Sequence, residues 1–216
     1  KAVNPTNVMG ASKLLAEKLT VSSNYFKGWK KTKFCSVRFG NVLNSNGSVI
    51  PLFKKQIQNG GPVTITEPNM TRFFMSIPKA VELVLKAGIL SEGGEIFIFK
   101  MPTVKIKDLA NSFIKIYASK YGYKESDIEI KKIGKRPGEK MHEELLNEID
   151  AENTYENNEM FISMPPKPKI NKIGEITLGR SGTKHKYRFT KTKMKTYSSN
   201  DKKPLSKNEL LKLLKG

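Results

Sequence analysis

Few side chains in these 216 residues combine reactive chemistry with suitable company. Met9 and Lys13 lie four positions apart in a stretch of helical spacing, so they leave one face of a helix together. By spacing alone they are a packed methionine beside a solvated lysine. A thioether has no proton to exchange. An ammonium can hold hydroxyls and keep a positive field beside a reacting group. Arg72 and Arg136 offer planar forks matched to diphosphate or carboxylate oxygens, with an ordinary salt bridge as the alternative for each. Glu139, in Arg-Pro-Gly-Glu, reads by position as a carboxylate at a helix N-terminus. Asn41, Ser48 and Val49 follow a β-prone run, in the kind of strand-end loop where open α/β sheets take their ligands. His142 sits among charged residues and reads as a surface side chain on a helix.

Composition removes several function classes. A single cysteine, Cys35, excludes an internal disulfide and suits a reducing compartment. With only His142 and His185 besides, a zinc site lacks ligands and no metal is expected. No apolar run approaches the about 20 residues that cross a bilayer. No basic-then-apolar leader opens the chain either, so a cytoplasmic protein with no membrane partner is expected. The formal net charge is +19, and residues 167–216 carry 15 Lys or Arg against 3 Asp or Glu. Such a balance invites nucleic acid. No zinc finger, helix-turn-helix or RNA-binding aromatic pattern accompanies it, so the charge reads as a solvated face and nucleic acid is not expected as a partner.

Periodicity gives the elements that must position these residues. Asn4, Pro5, Thr6 and Asn7 form a turn-and-cap cluster ahead of a helix over 8–20, in which Val8, Ala11, Leu15 and Leu19 recur on one side. Residues 34–39 (FCSVRF) are a short β-prone run closed by Gly40 and Asn41, with a loop over 44–47. A helix over 49–57 stops at Asn59-Gly60-Gly61-Pro62. Further strands are predicted at 63–66, 95–100 and 128–133, and further helices at 77–87, 106–120 and 140–147, with Pro78 in a first turn. Beyond 150 the sequence turns polar; 160–164 reads as a strand, and 205–214 as a helix with a capping box between Ser206 and Glu209. Strands alternating with helices across short connections give an α/β fold. None of the 16 glycines builds Gly-x-Gly-x-x-Gly, so these residues alone lack the usual cradle for a dinucleotide pyrophosphate.

KAVNPTNVMGASKLLAEKL resembles the active-site helix of extended short-chain dehydrogenases, whose usual signature is Tyr-x-x-x-Lys. More narrowly it resembles that of the capsule and flagellin-glycan nucleotide-sugar 4,6-dehydratases, some of which carry Met-x-x-x-Lys. RFGNVLNSNGSVIPLFKKQIQNGGPVTIT, TRFFMSIPKAVELVLKAG, GEIFIFKM, KRPGEKMHEELL and YSSNDKKPLSKNELLKLL follow in that family's order, and the likeness is thinnest over 153–196. The resemblance implies a Rossmann-type extended short-chain dehydrogenase fold lacking its N-terminal strands. Residues 1–150 would be the C-terminal part of the Rossmann-type domain with substrate-binding elements, and 151–216 would extend a small C-terminal substrate-binding lobe. The opening at Lys1, already leading into a helix, agrees with an expected C-terminal two-thirds of such an enzyme.

The activity implied is 4,6-dehydration of UDP-N-acetylglucosamine in surface polysaccharide or glycan biosynthesis. It comprises oxidation at C4, loss of water across C5–C6 and return of hydride to C6, with retention or inversion at C5 left open. A non-catalytic remnant or partner-dependent half of such an enzyme is the alternative, ahead of a 4-epimerase. NADP or NAD is the implied cofactor, a UDP-sugar the implied partner, and a homo-oligomer the implied assembly of the intact enzyme. Lys1 falls on the lysine of the family's Asp-Lys pair and would be the C5 base. Met9 stands where tyrosine is commoner, so deprotonation at C4 would fall to a group upstream, which argues against a 4-epimerase. Lys13 would hold the nicotinamide ribose, with Met9, Phe39 and Gly40 also on the cofactor side. Asn41, Ser48, Val49, Arg72, Arg136 and Glu139 would hold the substrate, Glu139 by accepting from a ribose hydroxyl.

Overall fold

A computed structural model of the protein describes residues 1–45, 49–165, 176–178 and 187–215. In chain order the first half forms α1 (Val8–Phe26), β1 (Ser36–Arg38), β2 (Asn41–Val42), α2 (Val49–Gln58), β3 (Val63–Ile65), β4 (Thr71–Met75), α3 (Ile77–Leu90), β5 (Ile96–Phe99), β6 (Thr103–Lys105) and α4 (Ile106–Tyr117). There follow β7 (Ile130–Lys132), β8 (Glu144–Leu146), α5 (Glu148–Ala151), β9 (Thr154–Glu156), β10 (Met160–Ser163), β11 (Ile176–Leu178), β12 (Tyr187–Lys191), β13 (Tyr197–Ser198) and α6 (Lys207–Lys215). The fold is α/β, as the alternation of periods predicts.

Two compact units share these elements, and they interleave along the chain. The first takes Lys1–Phe39, Val81–Lys100 and Glu144–Ser198; the second takes Gly40–Ala80, Met101–Glu143 and Ser199–Gly216. The first unit is built on a sheet of order β1-β5-β10-β9-β12-β11. Its β1 and β5 run parallel, while β10 runs antiparallel to β5. All four residues of β5, Ile96, Phe97, Ile98 and Phe99, are buried, the pattern of a strand covered on both faces. Asn7 caps α1 by accepting the Gly10 N–H at 2.9 Å. Gly10 is needed where it stands, because a Cβ there would lie 2.8 Å from the Lys1 carbonyl oxygen and 2.9 Å from Pro5 Cβ.

The second unit carries a β2-β4-β6 sheet and a β3-β7 pair. Its core joins Ile50, Phe53 and Ile57 of α2 to Leu109, Ala110, Phe113 and Ile114 of α4, with Leu210 of α6. Apolar residues three and four apart thus give each helix one buried stripe. Ser206 and Glu209 start α6 with the expected reciprocal bonds: the Ser206 N–H donates to Glu209 Oε2 at 2.8 Å and the Glu209 N–H to Ser206 Oγ at 3.4 Å.

Two expectations fail. Residues 140–147 do not form a helix: β8 occupies Glu144–Leu146 and pairs antiparallel with β13, and Asn147 instead caps the short α5 by accepting from Asp150 N–H at 2.8 Å. The run HEELL has helical composition, but a partner strand some fifty residues later supplies its backbone hydrogen bonds. His142 is correspondingly neither helical nor a plain surface residue; it is half-buried, with Nδ1 2.7 Å from Thr71 Oγ1. The strand β4 (TRFFM) escapes a period-two reading because four of its five residues are buried.

Candidate active site

In the first unit the candidates lie on and before α1. The Lys1 ammonium donates to Met9 Sδ at 3.4 Å, so the two residues singled out by the motif meet in space. Lys13 follows one turn on, exposed, and among the described residues no acceptor reaches its ammonium. What aims this helix is the next residue along the same side, one turn beyond Lys13. Glu17, 7% exposed, receives Arg38 Nε at 2.7 Å and Nη2 at 2.6 Å in a two-pronged pair. Arg38 Nη1 goes on to Asp150 Oδ2 at 2.6 Å and to the Leu145 carbonyl at 3.1 Å. Burial pulls the Arg38 guanidinium down, but the bonds and charges of Glu17 and Asp150 more than offset it, so its pKa rises and it stays charged. Phe39 stacks on Phe99 with centroids 5.7 Å apart. The side of α1 marked by Val8, Leu15 and Leu19 is not a core face: these residues are 86%, 61% and 58% exposed, and the buried helix positions are Gly10 and Glu17.

The second unit gathers most of the residues expected on the substrate side. Arg136, Pro137, Gly138 and Glu139 make a turn closed by Glu139 N–H to the Arg136 carbonyl at 3.0 Å, with Gly138 at φ 72. Proline second and a positive-φ glycine third is the type II arrangement. Glu139 Oε2 accepts the Arg136 N–H at 3.2 Å, and Glu139 Oε1 lies 3.3 Å from Arg72 Nη2. Arg72 also donates to the carbonyls of Thr71 (2.8 Å), Met141 (3.1 Å) and Lys140 (2.9 Å), so it staples the 139–141 segment to β4. The Arg136 guanidinium is exposed, and among the described residues no acceptor reaches it. Asn41 stands beside this group, half-buried. Gly40 has no room for a side chain, since a Cβ would lie 2.5 Å from Phe73 Cβ and 2.8 Å from the Phe73 carbonyl oxygen. Val49 opens α2 and packs against the apolar core rather than the polar group. Ser48 lies outside the described residues.

Sequence reasoning missed the residue that ties this group together. Glu143 accepts from Asn41 Nδ2 at 3.1 and 3.3 Å and from the Phe73 N–H at 2.9 Å, and lies 3.9 Å from Arg72 Nε. Burial lifts its carboxyl above the usual range, in spite of the Phe73 N–H, the Arg72 charge and the Asn41 amide, which favour ionisation. Ser199 holds the Glu143 backbone at both ends, accepting its N–H at 2.8 Å and donating its own N–H to its carbonyl at 2.7 Å. Thr71 Oγ1 lies 2.7 Å from Ser199 Oγ and extends the chain of contacts to His142. One signal was available for the first unit: an arginine inside the run FCSVRF must find carboxylates if the strand is buried. Nothing comparable marks Glu143 out from its neighbour Glu144. Among the described residues no group of three or more His, Cys, Asp or Glu is placed to hold a metal ion, and no helix is long and apolar enough to cross a membrane.

Comparison with known proteins now defines the class. The pattern of the polysaccharide biosynthesis protein family matches residues 1–165, and the chain belongs to that family. An uncharacterized membrane protein of Methanocaldococcus jannaschii is 54% identical over 215 residues, covering 100% of this chain and 59% of that protein. The UDP-N-acetylglucosamine 4,6-dehydratase (inverting) of Campylobacter jejuni O:2 is 39% identical over 220 residues, covering 99% of this chain and 60% of the enzyme. The UDP-glucose 4-epimerase of Rickettsia canadensis is 45% identical over 150 residues, 69% of this chain and 42% of the enzyme. Among solved structures, Pen from Bacillus thuringiensis superposes with a TM-score of 0.84 at 38% identity, over 99% of this chain and 58% of Pen. The chain therefore spans about 60% of the length of its full-coverage relatives.

Proposed function

We propose that this chain is the substrate-side portion of a nucleotide-sugar 4,6-dehydratase acting on UDP-N-acetylglucosamine. The observation that carries the reading is the contact between Lys1 and Met9, which sets an ammonium against the thioether at the position where the family's tyrosine is commoner. Along almost its whole length the chain is also similar to the Campylobacter dehydratase.

A nicotinamide cofactor, when bound, supplies the hydride acceptor and donor of this reaction. The residues present fit one part of it: the Lys13 ammonium is exposed and open to ribose hydroxyls, while no glycine-rich phosphate cradle occurs in the sequence. Lys1, in its neutral form, takes the C5 proton of the sugar, and water departs across C5–C6. The Arg136 guanidinium binds phosphate oxygens, and Glu139 accepts from a ribose hydroxyl with its carboxylate held by Arg72. Met9 packs against Lys1 and moves no proton. That last point disfavours the 4-epimerase reading raised by the Rickettsia relative.

The test is incubation of these residues, joined to a dinucleotide-binding segment with the glycine-rich cradle they lack, with UDP-N-acetylglucosamine and NADP in deuterated water, followed by mass spectrometry and NMR. A product lighter by one water, with deuterium at C5, is expected. Appearance of the C4 epimer with no dehydration would sink the proposal.

A further inference from the structure

In the half-buried group on the second unit, Asn41 Oδ1 meets no donor among the described residues. Asn41 Nδ2 donates to the Phe73 carbonyl at 3.2 Å and to the Glu143 carboxylate at 3.1 and 3.3 Å. Both partners are acceptors only, because a carbonyl has no proton and neither does an ionised carboxylate. Turning the amide over would set Oδ1 against two acceptors, so its orientation is fixed by chemistry as well as by space. The holder of this amide is itself held: Ser199 bonds the Glu143 backbone on both sides, and the Phe73 N–H fixes its carboxylate at 2.9 Å. Gly40 leaves Glu143 the room it occupies, since a Cβ there would lie 3.2 Å from Oε2.

We infer that Glu143 is a positioning residue that acts through Asn41, locking its amide so that Oδ1 is presented to a hydroxyl or amide N–H of the nucleotide sugar. This rests on the nucleotide-sugar reading of the site. It gives Asn41 the role of acceptor, and so selects a ligand that offers a donor at that point. It also gives Glu143 no contact of its own with the ligand.

A double-mutant cycle reads this directly. Calorimetry on the purified protein would measure the Kd for UDP-N-acetylglucosamine of the wild type, Asn41→Ala, Glu143→Ala, Glu143→Gln and the double alanine variant. Each single alanine change is expected to weaken binding about tenfold, the scale of one hydrogen bond. The double variant should be no weaker than Asn41→Ala alone; a further loss would mean that Glu143 acts instead through Arg72, 3.9 Å away, and the Glu139 it holds. Glu143→Gln should stay within about threefold of wild type, since its amide oxygen can accept both the Phe73 N–H and Asn41 Nδ2. Additive loss in the double variant, or a glutamine variant as weak as the alanine one, would overturn the inference.

If Glu143→Ala does not fold, a second pair decides. Asn41→Asp sets an acceptor against both Glu143 and the Phe73 carbonyl and should weaken binding at least about tenfold; adding Glu143→Gln, whose amide can donate to the new carboxylate, should recover the Glu143 part of that loss. No recovery overturns the role. Wild-type binding without dehydration would remove the dehydratase reading and leave the cycle intact, whereas no binding of UDP-N-acetylglucosamine at all would overturn both.

Discussion

The two polar clusters are held in opposite ways. On the first unit Lys1, Met9 and Lys13 stand exposed, and a buried ion group one turn beyond Lys13 on α1, Glu17 with Arg38 and Asp150, fixes the helix that carries Met9 and Lys13. On the second unit Asn41, Arg72, Glu139 and Glu143 are half-buried and bond one another directly. The first arrangement leaves the lysines exposed beside a helix whose backbone is anchored. The second fixes side-chain orientation, which suits holding a ligand and would hinder proton transfer. Reactive lysines need solvent-like freedom; recognition groups need their rotamers set in advance.

The comparison breaks most visibly at Lys1. In an enzyme completed with a dinucleotide-binding segment, Lys1→Ala should cut turnover about 10²–10⁴-fold, the usual effect of removing a positioned proton-transfer group, while leaving thermal stability unchanged. Stopped-time product assays beside melting curves would check it, and wild-type turnover would remove Lys1 as the base. Arg38→Ala should act the other way round. It leaves the Glu17 carboxylate buried without its partner, which costs about 3–5 kcal/mol of stability. Denaturant titration is the measure, and a loss under 1 kcal/mol would mean that α1 is anchored by something else.

Gly40→Ala probes the second cluster without touching a charge. Its Cβ meets the Phe73 main chain, so strain of about 1–3 kcal/mol is expected together with weaker nucleotide-sugar binding. Stability lost with binding unchanged would separate the β2–β4 contact from the site.

The acid response sharpens the contrast through one carboxylate from each unit. Glu143 is raised above the ordinary 4.5, chiefly by burial and against the pull of the Phe73 N–H, Arg72 and Asn41. Its contribution to stability is therefore full below the ordinary value and is lost as pH rises through the raised one. Glu156 on the first unit is lowered: burial pushes it up, but the bonds from Lys100 and Thr192 outweigh that. Its contribution is full above the ordinary value and is lost as pH falls through the lowered one. Stability curves of Glu143→Gln and Glu156→Gln against wild type should diverge with opposite slopes in pH; parallel slopes would contradict this. The smallest effect belongs to Met9→Ala, which removes packing against Lys1 but no proton, and should slow turnover less than Lys1→Ala does.

Sequence alone determined the elements whose signals are local. The helix over 8–20, the breaker at 59–62, the strand at 95–100 and the capped helix at 205–214 each depend on residues within a few positions of one another, and all are present. The same holds for Met9 and Lys13, whose spacing on a helix fixes their common face. Tertiary structure decided what depends on distant partners. Residues 144–146 became a strand because Tyr197 and Ser198 supply the ladder, overriding a helical composition. Arg38 became an anchor for α1 because residues 21 and 112 positions away offered carboxylates in a dry place. Glu143, and not the adjacent Glu144, became the centre of the second cluster because only its side chain reaches Asn41 and the Phe73 N–H. Backbone hydrogen bonds and buried charges must be satisfied by whatever the fold brings near, and that neighbour is a property of the folded chain, not of the segment.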